Sequence, residues 1–111
     1  MPITHRMQSG VVILELIEPV NDGDFNQLHR HAVDALDGFG GRLVVNLSRT
    51  SLVDHMELSN LRQVGVFYYH NGGRPTLAAP SPEARRVLDN EKFSNFFDIY
   101  DTEDKAIKSF A

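Results

Sequence analysis

The side chains able to do chemistry fall in two stretches of the sequence. In the first, His29 and His31 stand close after Asp22 and Asp24 and suggest a metal site. Histidines two apart on a helix project to different sides and share one ion poorly, so a solvated helix face accounts for them better. In the second, Ser48, Thr50, Ser51, Asp54, His55 and Ser59 crowd into one short run. Ser51, His55 and Asp54 have the residue types of a nucleophilic triad. There is no Gly-x-Ser-x-Gly elbow, and neighbours such as Asp54 and His55 project in different directions, so no catalytic residue is expected. Gly40-Gly41 and Gly72-Gly73 follow helical stretches instead of joining a strand to a helix, which makes them helix stops and not phosphate cradles. What remains is non-covalent or regulatory: an acid, Asp54, that caps a helix or meets a partner; a histidine, His55, able to titrate near neutrality; and hydroxyls, Ser51 and Ser59 foremost, open to phosphorylation.

Alternating apolar periods set the elements that must carry this run. Residues 2–7 read as a weak edge strand, Ser9-Gly10 as a turn, and Val11 to Ile17 (VVILELI) as a strong β-branched strand. Asn21 and Asp22 can cap a helix to Phe39 whose buried stripe is Phe25, Leu28, Ala32, Leu36 and Phe39. Arg42 to Leu47 is a second strong strand. Asp54 starts a helix to about His70, with Glu57 three residues on in a capping-box arrangement and Leu58, Leu61, Val64 and Tyr68 facing inward. Gly65 on that face allows close packing. Of Phe67, Tyr68 and Tyr69, one tyrosine must lie near the surface and offers a second interface. Pro75 to Ala79 is a short strand, and Ser81-Pro82-Glu83 is a helix start. Phe93, Phe96 and Phe97 form an aromatic seal, Ile99-Tyr100 a last strand, and Asp101 to Asp104 open a terminal helix with Ala106, Ile107 and Phe110 inward. Strands alternating with helices predict an α/β domain with a largely parallel sheet.

Composition narrows the functions further. The 111 residues, 41% hydrophobic and 23% charged, suit one domain with its own core, residues 1–111. A net charge of −4 without a basic stripe argues against nucleic acid as a partner. Cysteine is absent, which removes disulfides and thiolate metal sites and fits a reducing compartment. No apolar run approaches bilayer length and the N-terminus lacks a signal pattern, so a cytoplasmic protein without membrane insertion is expected. No cofactor and no metal are called for.

Three ordered stretches resemble the STAS family. RLVVNLSRTSLVDHMELSNL (42–61) is similar to its strand, turn and helix; GGRPTLAAPSPEARRVLD (72–89) to its Gly-Gly, short strand and "SPxxRRhL" helix; and FSNFFDIYDTEDKAIKSF (93–110) to its ending. The resemblance spans about residues 8 to 110. It implies a STAS-like domain with a four- to five-stranded, mostly parallel sheet and about four helices packed mainly on one face. It also implies a non-catalytic regulatory role like that of bacterial anti-sigma factor antagonists, which bind an anti-sigma factor that is also a serine kinase.

In those antagonists the turn into the second helix reads roughly Asp-Ser-Ser-Gly-Leu, and its phosphorylation releases the partner. The matching run here is Asp54-His55-Met56-Glu57-Leu58, so Met56 stands at the acceptor position and has no hydroxyl. The usual phosphoserine switch is therefore expected to be missing, with Glu57 either a capping residue or a permanent charge that mimics the phosphorylated state. The expected partner-binding set is Asp22, Asp54, His55, Met56, Glu57, Leu58 and Ser59. The resemblance also admits an accessory subunit beside the ATPase of an ABC-type phospholipid transporter, a scaffold protomer in a signalling assembly, and a homodimer.

Overall fold

The computed structural model describes residues 3–17, 22–50 and 55–110, with the side chains of Asp22, Asp24 and His55 outside that description. The elements run β1 (Ile3–Gln8), β2 (Val11–Ile17), α1 (Asp22–Gly38), β3 (Leu43–Arg49), α2 (His55–His70), β4 (Thr76–Ala78), α3 (Pro82–Asn90), a 3₁₀ turn (Phe93–Asn95), β5 (Asp98–Tyr100) and α4 (Glu103–Lys108). The strands form one sheet in the order β1-β2-β3-β4-β5. The β1–β2 pair is antiparallel and the other three pairs are parallel. The expected α/β sheet with four helices is thus observed, with five strands.

Sequential order within the sheet follows from crossovers that all return on the same side. Helices α1, α2 and α3 cover one face. Val12, Leu14 and Leu16 of β2 and Leu43, Val45 and Leu47 of β3 meet Phe25, Leu28 and Ala32 of α1, Leu58, Leu61, Val64 and Tyr68 of α2, and Ala84 and Leu88 of α3. The alternate strand positions, Val11, Ile13, Val44 and Ala78, point to the opposite face and are covered by Ala106 and Ile107 of α4, with Phe110 packed against them. Both faces of β2 and β3 are therefore apolar, which is why these strands read as near-continuous hydrophobic runs instead of alternating ones.

Local chemistry fixes the ends. Ser81 caps α3, its Oγ accepting the Ala84 N–H at 3.1 Å, with Pro82 at the first helical position. Thr102 caps α4 by accepting the Lys105 N–H, one residue inside the predicted acidic start. Ser9 and Gly10 both have positive φ, 54° and 76°, the two-residue hairpin turn whose twist matches the flanking strands. Strand β3 runs on to Arg49, past the predicted end at Leu47, because its last two residues keep strand geometry while their side chains turn to solvent.

The tightest contact in the core is between α2 and the aromatic turn. A Cβ on Gly65 would lie 2.4 Å from Cε2 of Phe97 and 2.9 Å from Cβ of Phe96. Arg74 holds that turn in place by donating to the carbonyls of Ser94, Asn95 and Phe97 and to Asp98. Tyr68 is fully buried and donates its hydroxyl to the Ala32 carbonyl, tying α2 to α1. Burial, with help from Asp37, pushes its phenol pKa upward, so it stays a neutral donor. Tyr69 is the surface tyrosine, 59% exposed.

Gly65→Ala is expected to destabilise by about 1–3 kcal/mol through overpacking against Phe97. Gly38→Ala, where the added Cβ meets nothing, is expected to be neutral or slightly stabilising. Urea titrations of the two variants against the parent check both, and equal midpoints for both would refute the packing argument.

Candidate functional site

The parallel strands end at one rim of the sheet, and the helices that follow them begin there. Strand β3 delivers the chain to this rim through Ser48 and Arg49, both exposed, and Thr50, which is buried. Arg49 reaches Glu15 of the neighbouring β2 at 3.7 Å across the rim. Helix α2 then opens at His55.

On the first turn of α2, Met56 is 61% exposed, Ser59 one turn later is exposed, and Glu57 is half-buried. Positions three apart share a helix face, so Met56 and Ser59 form one outward patch. Leu58 is the correction to the expected contact set. It is 5% exposed and sits in the helix-side core, so it anchors α2 and is not offered to a partner. Its apolar side chain falls on the same stripe as Leu61, which explains the inward turn. Ser51 and Asp54 lie outside the described residues, as does Asn21. Asp22 begins α1 and His55 begins α2, with both side chains outside the description.

The histidines of α1 diverge, as their spacing demands. His29 sets its ring edge against Phe67, and His31 stacks on His5 of β1 at 4.6 Å. Burial, then the neighbouring His5, lowers the His31 pKa. Among the described residues no three His, Cys, Asp or Glu side chains converge as a metal site. Next to the Met56 patch, Phe25, Asn26 and His29 of α1 and Asn60 and Gln63 of α2 line a recess of about 160 Å³, smaller than an ordinary small-molecule pocket (roughly 300–1,000 Å³).

Behind the rim lies a polar link that the residue pattern does not announce. Asn46 of β3 accepts the Ser48 N–H on Oδ1 at 2.8 Å and donates from Nδ2 to Glu103 Oε2 at 2.7 Å. Arg6 of β1 pairs with the other carboxylate oxygen of Glu103. The end of β3, which precedes α2 in the chain, is thereby fastened to α4 and β1. Burial works to raise the Glu103 pKa, but the hydrogen bonds from Asn46 and Arg6 and the Arg6 charge outweigh it, and the net direction is downward. Only contacts across 57 and 97 residues of sequence make this visible.

With that geometry in place, comparison with known proteins is informative. The family model of the STAS domain matches residues 3–106. The chain belongs to the STAS domain family. No curated protein sequence matches it. Among solved structures, this STAS domain is similar to a candidate anti-sigma factor antagonist of Thermotoga maritima, TM1081, with TM-score 0.78, 21% identity and coverage of 96% of this chain and 92% of that one. It is similar to phosphorylated SpoIIAA, a cell fate determinant of Bacillus, with TM-score 0.71, 20% identity, and 98% and 99% coverage. An anti-sigma-factor antagonist domain protein of Planctomyces limnophilus gives 0.75, 15%, and 96% of each chain. Identities this low establish the shared fold. No helix among the described residues is long and apolar enough to cross a membrane.

The pH dependence of Glu103 has a definite sign. A carboxyl with a lowered folded-state pKa contributes stability above its unfolded value, near 4.5, and loses it as pH falls through the folded value. Glu103→Gln is therefore expected to be less stable than the parent at pH 7, with the gap closing as both are acidified below about pH 4. Thermal melts across that range check this, and a gap that stays constant or widens in acid would refute it.

Proposed function

We propose that this STAS domain is a non-catalytic regulatory module that docks a protein partner, of the anti-sigma factor and serine-kinase type, on the first turn of α2, and that it does so without a phosphoserine switch. The observation that carries this is Met56. Its side chain is 61% exposed on an outward patch with Ser59, and the resemblance of the run 54–58 puts it in the place of the antagonists' acceptor serine. Antagonist structures such as TM1081 and SpoIIAA share the fold over nearly the whole chain, which supports the same use of this rim.

The physical reason for the switch and for its loss is the same. A phosphate adds about −1.5 to −2 charges at neutral pH and opposes docking through repulsion and desolvation. A thioether carries no charge and adapts its three torsions to a partner surface, so it favours a standing contact. Glu57, half-buried on the same turn, keeps one negative charge at the helix start, where the helix dipole stabilises it. The contact set proposed is Met56, Ser59 and Glu57, with Asp54, His55 and Asp22 beside them. Ser51 and Ser59 are the hydroxyls left to replace the lost acceptor.

The test uses purified serine-kinase anti-sigma factors from the same cells. Binding without phosphorylation is expected: titration calorimetry gives a complex, and intact mass after incubation with ATP is unchanged. Met56→Asp is expected to weaken binding at least ~10-fold, about 1.4 kcal/mol, and Met56→Ser to restore an acceptor. A single phosphate on the parent chain would overturn the unswitched reading. Undiminished binding by Met56→Asp would overturn the docking surface itself, and stable assembly with a transporter ATPase would move the domain to the accessory-subunit class.

A further inference from the structure

The antiparallel hairpin leaves β1 as a sheet edge whose free backbone groups can be identified residue by residue. A two-residue turn closes on a hydrogen-bonded pair, here Gln8 with Val11. Alternation along the ladder then makes Arg6–Ile13 and Thr4–Glu15 the other bonded pairs. The N–H and C=O groups of Ile3, His5 and Met7 therefore point away from β2, along the open edge. The side chains alternate too. Ile3 joins the helix-side core and His5 stacks on His31 of α1, so Ile3, His5 and Met7 share that face, while Arg6 reaches Glu103 of α4 on the other.

We propose that this edge is a homodimer interface, two copies joining β1 to β1 antiparallel about a twofold axis through His5, to give one continuous ten-stranded sheet. Register among the described residues selects this arrangement from its alternatives. Outward groups can bond only to outward groups, so among the described residues Ile3, His5 and Met7 pair among themselves. Centring on His5 sets Ile3 against Met7 of the second copy, His5 against His5, and Met7 against Ile3: three bonded pairs with two hydrogen bonds each. Shifting the axis to Arg6 would place two arginines directly opposite and lose a pair, and like charges opposite one another destabilise. Shifting it to Thr4 leaves two bonded pairs among the described residues, Ile3 with His5 and His5 with Ile3, and takes Met7 away from Ile3 of the second copy.

Side-chain chemistry agrees with the His5-centred register. Met7 is 46% exposed, one of three large apolar side chains so exposed among the described residues. It would lie against Ile3 of the second copy, already continuous with the core. On the opposite face Arg6 would stand across from Thr4, with its charge already held by Glu103. The interface is isologous, so it closes at two copies and does not extend into a fibre. A five-residue edge buries less than a standard interface of roughly 1,600 Å², so the dimer dissociates on dilution. This surface is separate from the α2 patch and does not depend on it.

Sedimentation velocity of the full chain over a rising concentration series is the test, with amide hydrogen exchange at both ends of the series. A reversible monomer–dimer shift is expected, with added protection confined to the Ile3, His5 and Met7 amides, since those of Thr4, Arg6 and Gln8 are already bonded within the hairpin. His5→Pro removes an outward N–H that the hairpin does not use and is expected to give a folded monomer. Met7→Lys, on an exposed side chain, is expected to lower the dimer fraction at least tenfold and keeps the test valid if the proline variant fails to fold. A monomer throughout the series overturns the proposal. So does a dimer that both variants preserve, or one whose added protection falls on β5 instead.

Discussion

Strand β3 has no solvent-facing side along most of its length, and that constraint organises the molecule. Leu43, Val45 and Leu47 are buried beneath the three helices of one face, while Val44 is buried beneath α4 on the other. A strand enclosed this way cannot shift register by one residue without exchanging the contents of two cores. Its position fixes β2 and β4 on either side, and its exit fixes where α2 begins. The patch at Met56 is placed by this burial: Leu58, two residues on, is drawn into the helix-side core and leaves Met56 outward.

The same enclosure explains what was legible in the sequence. VVILELI and LVVNL announced themselves because strands covered on both faces carry few polar residues. The stripes Phe25-Leu28-Ala32 and Leu58-Leu61-Val64-Tyr68 followed the helical period and are buried, while Leu36 and Phe39, read on the first stripe, are only partly buried, Phe39 lying past the end of α1. Ser81-Pro82 and the glycine turns are local signals with local causes. Gly65 was legible as a close-packing position, since a glycine on an apolar stripe has few other reasons to be there.

The rest is encoded in pairings that no local period reports. That α4 covers the opposite face could not be read from Ala106 and Ile107, because an apolar stripe states that it is buried and not against which face. The Asn46–Glu103–Arg6 link joins three elements far apart in sequence, and each residue alone reads as an ordinary polar surface residue. Arg74 likewise reads as a loop cation, yet it gathers three carbonyls of the aromatic turn. Leu58 was legible twice, as a core position and as part of a family motif, and packing decided for the core because a leucine's transfer free energy, about 1.5–3 kcal/mol, is recovered only when it is enclosed.

A rim built this way bears on how such a domain can be regulated. The end of β3 is held from behind by charge-assisted hydrogen bonds to α4 and β1 and from beneath by apolar packing, and Leu58 seats the first turn of α2 on the same core. Docking on a preorganised surface avoids the entropy of ordering a loop at each encounter. Under the proposed function, control would come from charge placed at the rim, which a serine allows and a methionine does not, or from the partner. On that reading, with Met56 in the acceptor's place, the decision to bind would pass to another hydroxyl on this rim or to whatever the domain meets.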